Sequence, residues 1–156
     1  MNHGKETTLV SLLRDPACKE YDVLAIQEPW RNPFVTTGYN PPASDFYLTY
    51  PPFKLTRVCF YINKKLSPAS WDVTHYYEDT QTLTLRYREN QEDLDIIQVH
   101  NIYNPSPESY SSKALGTIGT LCNALESSVT EANYVVVGDF NLYHPLWSSV
   151  ERLTRH

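Results

Sequence analysis

Two apolar segments of this chain each run into a carboxylate. Asp22-Val-Leu-Ala-Ile-Gln27 leads to Glu28, and Tyr134-Val-Val-Val137 leads through Gly138 to Asp139. Strand ends are where a rigid scaffold meets solvent, and ligands commonly bind just beyond the carboxyl ends of such strands. Two acidic groups brought together there repel each other unless a cation lies between them. Oxygen ligands of this kind suit a hard ion, Mg²⁺ or Mn²⁺. Asn141 lies two residues past Asp139 and points to the same side in extended geometry, offering a neutral amide to a phosphate oxygen or a water. Gly138 lets the backbone turn closely there. Taken singly, each feature has a plainer explanation: Asp-Phe-Asn is turn chemistry, and an isolated Glu is ordinarily a surface carboxylate. Together, in matching strand contexts, they read as one metal-dependent site.

Periodicity predicts the elements that position these residues. Leu9, Val10, Leu12 and Leu13 share one face of a helix over residues 7–13, capped by Thr7 or Thr8 and stopped by Asp15-Pro16. Residues 22–27 read as a buried strand. The Pro-rich, aromatic stretch 29–52 excludes a long helix and holds a short strand at 46–50. Residues 57–63 and 71–76 alternate like half-buried strands. Residues 80–88 alternate most cleanly, with Leu83, Leu85 and Tyr87 on one face. A polar turn at 90–93 leads into a strand at 94–103, which Asn104-Pro-Ser-Pro107 breaks. Residues 111–127 read as a helix with Ala114, Leu115, Ile118, Leu121, Cys122 and Leu125 near one face, weakened by Gly116 and Gly119. A buried strand at 134–137 follows. This order predicts a mixed α+β or layered α/β domain and not a repeating βαβ pattern.

A chain of 156 residues suffices for one domain with a buried core. Its formal net charge of −5 argues against a standing basic surface, so contact with nucleic acid needs a local patch or a bound cation. Cys18, Cys59 and Cys122 are widely spaced, with no CxxC or His pattern for zinc, and read as reduced thiols of the cytosol or nucleus. The first eight residues lack the apolar core of a signal peptide, and no apolar run approaches a membrane span. The expectation is an intracellular protein, nuclear if it acts on DNA, not secreted, without membrane or small-molecule cofactor.

AIQEPW (25–30), HNIYNP (100–105) and GDFNLYHPLW (138–147), in this order, resemble the endonuclease/exonuclease/phosphatase superfamily. The spacing and the HPLW tail resemble its non-LTR retrotransposon endonuclease branch, and the likeness runs from about Gly4 to Trp147. The resemblance implies a DNase I-like four-layer αββα sandwich, two sheets flanked by helices, that nicks DNA. It implies Glu28 as the principal carboxylate for Mg²⁺ or Mn²⁺. Tyr103 contacts the scissile phosphate or holds the attacking group. Asp139 positions or activates the water, and Asn141 stabilises the transition state. The metal polarises the phosphate and stabilises the leaving 3′ oxygen. His144 and Trp147 shape the rim.

The chain also departs from the family pattern. That pattern opens with a strand ending in a metal-binding Asn, and Asn2 falls one or two places late. It continues past GDFN to a further Asp/Asn pair and a closing Ser-Asp-His whose His handles the proton. His156 has neither strand context nor a preceding Asp. The expectation is a single incomplete domain over residues 1–156, lacking most of the first strand and the Ser-Asp-His part. Such a domain exposes an apolar sheet face and an open edge, and its catalysis is weak or absent. Two other readings remain: a non-catalytic remnant or binding module, and the same fold acting on RNA or on a phosphoinositide or sphingolipid.

Other polar residues receive structural readings. His100 is packed or solvent-facing; His75 and Asp79 are surface groups flanking a turn. Arg31 and Arg57 read as solvated or salt-bridged, with phosphate contact as their functional alternative. The aromatic stretch from Trp30 to Phe53 is a packed surface loop, with base stacking as its functional alternative.

Overall fold

The computed structural model describes residues 3–87, 95–105, 116–127 and 132–141. Asn2, the turn expected at 90–93, the helical residues expected at 111–115, and His144, Trp147 and His156 lie outside the described residues.

Helix α1 spans His3–Arg14, four residues earlier than the apolar periodicity predicts. Glu6 in its first turn and Arg14 in its last match the helix dipole. Leu9 and Leu13, one turn apart, are its buried pair, and such burial stabilises by roughly 1.5–3 kcal/mol per side chain. Asp15-Pro16 ends the helix as expected. Pro16 opens a short 3-10 turn, Pro16–Glu20, and the Asp15 carboxylate accepts the Ala17 N–H at 2.9 Å.

Two sheets follow. The first holds β1 (Val23–Gln27), β2 (Phe46–Thr49) and β3 (Val58–Asn63) in the order β1-β3-β2, all antiparallel. The second holds β4 (Trp71–Tyr77), β5 (Thr80–Tyr87), β6 (Asp95–Tyr103) and β7 (Asn133–Asp139) in that order. Its first three strands are antiparallel, and β6 and β7 are parallel across helix α2 (Thr117–Glu126). The described residues therefore form a mixed α/β protein with two sheets and two helices.

Strand β3 explains how the layers are held. The half-buried alternation expected of it is corrected: all six residues are buried, because both faces are covered. Cys59 and Tyr61 pack with Leu9, Leu13 and Phe46 on the α1 side. Phe60 and Ile62 pack with Leu83 on the opposite side, joined by Trp71, Val73, Leu85 and Val99 of the second sheet. The two sheets thus share one apolar core. Strand β1 is half-buried, antiparallel to β3 and, among the described residues, at the edge of its sheet, not the fully buried strand its composition implied.

Strand β7 is a second correction. Its apolar run reads as buried, yet Tyr134, Val135 and Val136 are 43%, 46% and 36% exposed. Among the described residues β7 is the last strand of its sheet, so β6 pairs with only one of its edges. Helix α2 also differs in its facing. Thr117, Leu121 and Ala124 are buried against the second sheet, whereas Ile118 and Cys122 are exposed. Gly116 is the residue preceding its first turn, and Gly119 lies inside the helix. His75 lies within β4 instead of flanking a turn, and Asp79 keeps only 15% of its side chain exposed. His100 is fully buried, with Nδ1 2.7 Å from the Thr82 hydroxyl.

Candidate active site

Three strand ends from two sheets meet at one edge of the shared core. Parallel pairing of β6 with β7 sets Tyr103 directly opposite Asp139, and Ile102 opposite Gly138. Strand β1, which ends one residue before Glu28, lies against both β6 and β7. A buried amide fixes this arrangement. Asn101 Nδ2 donates to the carbonyls of Cys59 at 3.0 Å and Ile26 at 3.3 Å, and Gln27 Nε2 donates to Asn101 Oδ1 at 2.6 Å. One fully buried side chain of the second sheet therefore holds two strands of the first, next to Glu28 and two residues before Tyr103. An apolar replacement would orphan several polar groups, each at about 1–3 kcal/mol.

Backbone bonds complete the frame. The Glu28 N–H donates to Arg57 O at 2.6 Å, and the Arg57 N–H donates to Glu78 O at 2.8 Å. The Tyr103 N–H donates to Asp79 O at 2.9 Å. The start of β3 and the β4–β5 turn thereby link the ends of β1 and β6.

Two of the expected site residues sit in left-handed backbone, Glu28 at φ +46° and Asn141 at φ +44°. Asn tolerates that region, but Glu does so only at a cost of about 1–2 kcal/mol. Such strain persists where surrounding bonds over-determine the backbone, and it clusters at functional sites. Gly138 has φ +152°, and a β-carbon there would run into the Ile102 carbonyl. Only glycine permits β7 to lie this close to β6 immediately before Asp139.

Beyond β7, the Asp139 carboxylate accepts the Asn141 N–H at 3.1 Å. The Asn104 N–H donates to Asp139 O, Asn104 Nδ2 to Phe140 O, and Asn141 Nδ2 to Asn104 O, each at 2.7 Å. The Asp139-Phe-Asn141 turn is thus locked to the residue after Tyr103.

The electrostatics assign protonation states. The Lys5 ammonium, 2.9 Å from Glu28 Oε2, is the chief cause that holds the Glu28 carboxyl below its usual range, aided by the Tyr103 hydroxyl and Arg57 against partial burial. Burial, and then the negative charges of Glu28 and Asp139, push the Tyr103 phenol up. Tyr103 thus stays a hydroxyl donor beside an ionised carboxylate. The Arg57 guanidinium lies 5.2 Å from the Tyr103 ring centroid and 3.6 Å from Asp79 Oδ1. That separation is too long for a hydrogen bond. Burial pushes the Asp79 carboxyl up to about 6 despite Arg57.

All four residues expected to carry chemistry, Glu28, Tyr103, Asp139 and Asn141, therefore come together, joined by Lys5, Arg57, Asp79 and Asn104. Asp79 read from sequence as a surface group and Arg57 as solvated or salt-bridged with phosphate contact as its alternative, while Lys5 lay ahead of the helix expected at 7–13. Asn104 adjoined a prolyl break within the HNIYNP motif, and no role was read for its side chain. One signal was available for Arg57, which directly precedes the apolar strand β3.

The oxygen donors of Glu28, Asp139 and Tyr103 suit a hard cation, because Mg²⁺ takes one or two protein carboxylates and completes its shell with water and phosphate. The Lys5 ammonium occupies a place on Glu28 where positive charge is stabilised. Among the described residues, no three His, Cys, Asp or Glu side chains converge, so they form no multi-carboxylate cage.

The sequence matches no protein-family model and no curated protein.

Proposed function

We propose that this chain is a phosphodiesterase domain that uses Mg²⁺ or Mn²⁺ to nick DNA, built as a partial four-layer αββα sandwich like the endonucleases of non-LTR retrotransposons. The observation that carries this reading is the convergence of Glu28, Tyr103 and Asp139 from two sheets at one edge, with left-handed backbone at Glu28 and at the adjoining Asn141. Glu28, held ionised, is the protein carboxylate for the cation once Lys5 moves aside. When bound, the cation would polarise a phosphate oxygen and stabilise the departing 3′ oxygen. Tyr103, held protonated, donates to a phosphate oxygen. Asp139 orients the attacking water, its own carboxylate aimed by the Asn141 N–H. Arg57 supplies positive charge beside Tyr103 for the charge that builds on phosphate. The test is nicking of supercoiled plasmid in Mg²⁺, with EDTA and Asp139→Ala as controls.

A second reading is a nucleic-acid-binding module without catalysis. It is favoured by two commitments: Glu28 is paired with Lys5, and one Asn141 amide hydrogen is spent on the Asn104 carbonyl. Nicking that disappears in Asp139→Ala would exclude it.

A further inference from the structure

An open groove of about 1040 Å³ begins beside Glu28, where Lys5 and Pro29 form part of its wall. Its lining combines three cations, Lys5, Arg31 and Lys54, with four aromatic side chains, Trp30, Phe34, Tyr50 and Phe53. Glu6 is its one acidic lining residue, so the groove is locally basic on a chain of formal charge −5. This is the local patch that phosphate contact requires of an acidic protein.

The aromatic groups are held differently from one another. Trp30 packs partly against the α1-side core, and the Phe53 ring leans on Tyr77 at 6.0 Å between centroids. Phe34 is 91% exposed. Its loop is nonetheless closed: the Asn32 N–H donates to Thr37 O at 2.8 Å, and the Phe34 N–H donates to Asn32 Oδ1 at 2.9 Å. An Asx turn thus presents an apolar ring to solvent on an ordered tip. Across the groove, an Arg31 guanidinium nitrogen donates to Lys54 O at 3.1 Å and ties the two walls together. Lys5 is already paired with Glu28, so a hydrophobic ligand would leave Arg31 and Lys54 without a counter-charge, and a bare anion would leave the rings unused. Cations interleaved with one exposed ring, Phe34, and the half-buried rings of Trp30 and Phe53 match a backbone of phosphates carrying unpaired bases.

We infer that this groove binds single-stranded DNA, with an unpaired base stacked on Phe34 and the flanking phosphates on Arg31 and Lys54. This deepens the proposed DNA-nicking reading by naming the form of the strand that approaches Glu28, and it rests on that reading for its biological sense. Binding itself needs no divalent cation.

The experiment is fluorescence anisotropy in EDTA, using the whole chain with a labelled oligo(dT) of about 12 nucleotides and a duplex of equal length. The expected result is tighter binding of oligo(dT) than of duplex. Phe34→Ala should weaken oligo(dT) binding about ten-fold while leaving the melting temperature unchanged, since that ring is exposed. The Arg31→Gln/Lys54→Gln double variant should flatten the slope of log K against log salt by about 1.4. Equal or tighter duplex binding, an unchanged affinity in Phe34→Ala, or no binding of oligo(dT) would each overturn the inference. Plasmid nicking, scored separately in Mg²⁺, would survive or fail on its own.

Discussion

Asn141 donates its side-chain amide to the Asn104 carbonyl at 2.7 Å, so the turn after β7 is tied to the residue that follows Tyr103. Asn104 returns the tie through Phe140 O and Asp139 O. The two asparagines hold Asp139 and Tyr103 in fixed relation, and Asn141 serves the site through this scaffold as well as through any contact with substrate.

A comparison of two substitutions separates these contributions. Asn141→Gly removes the amide but relaxes the left-handed backbone, whereas Asn141→Ala removes the amide and keeps the strain. Urea unfolding should show Asn141→Ala the less stable of the two, by about 1 kcal/mol. Equal stabilities would show that the backbone at Asn141 is not strained.

Gly138 tests the close approach of β7 to β6. Gly138→Ala should destabilise by more than about 3 kcal/mol, because the added carbon meets a backbone carbonyl and cannot be relieved by a rotamer change. Gly4→Ala is the control: nothing lies within 4 Å of its added carbon, and in α1 alanine should stabilise by up to about 1 kcal/mol. Similar melting temperatures for the two variants would contradict the packing described.

The architecture near the site was readable in part, and the reasons for the gaps are physical. The α1 face and the two strand-end carboxylates come from local patterning, which the structure keeps; the β5 alternation is not kept, since Thr80, Gln81, Thr82 and Leu83 are all buried and Tyr87 is exposed. The exposure of Val135 and Val136 is not local: a continuous apolar run looks the same whether or not a neighbouring strand covers it. The burial of both faces of β3 likewise depends on α1 and on the second sheet. Arg57, Asp79 and Lys5 join the site only because distant strands place them there, and no spacing rule links residue 5 to residue 28. Asn101 is a similar case, since a polar residue in an alternating strand gives no sign that it bonds across to another sheet.

Asp79 should impart a measurable pH dependence. Its carboxyl, pushed up to about 6 by burial, is more easily held neutral in the folded protein than in the unfolded chain. The sign follows from linkage. The stability it contributes is fully present below about pH 4 and is lost as pH rises through about 6, roughly 3 kcal/mol at most. Asp79→Asn mimics the neutral form, so relative to wild type it should gain stability between pH 4 and 7. A pH-independent difference in urea midpoints would remove Asp79 from this role.

Lys5 should compete with divalent cations for Glu28. The pair is exposed, with 38% and 47% of the two side chains accessible, so it contributes little to stability. Lys5→Ala should therefore leave the melting temperature nearly unchanged while tightening Mn²⁺ binding followed by electron paramagnetic resonance. Glu28→Gln should abolish that binding. If Lys5→Ala and Glu28→Gln both bind Mn²⁺ as wild type does, the cation does not use Glu28.

The most direct measurement of the central claim is the nicking of supercoiled plasmid by the wild-type chain, Asp139→Ala and Glu28→Gln, in Mg²⁺ and in EDTA. Cation-dependent nicking by wild type, reduced at least about 100-fold in each variant, is the predicted result. Absence of nicking from wild-type protein shown to be folded by circular dichroism, or nicking that persists in Asp139→Ala, would contradict it.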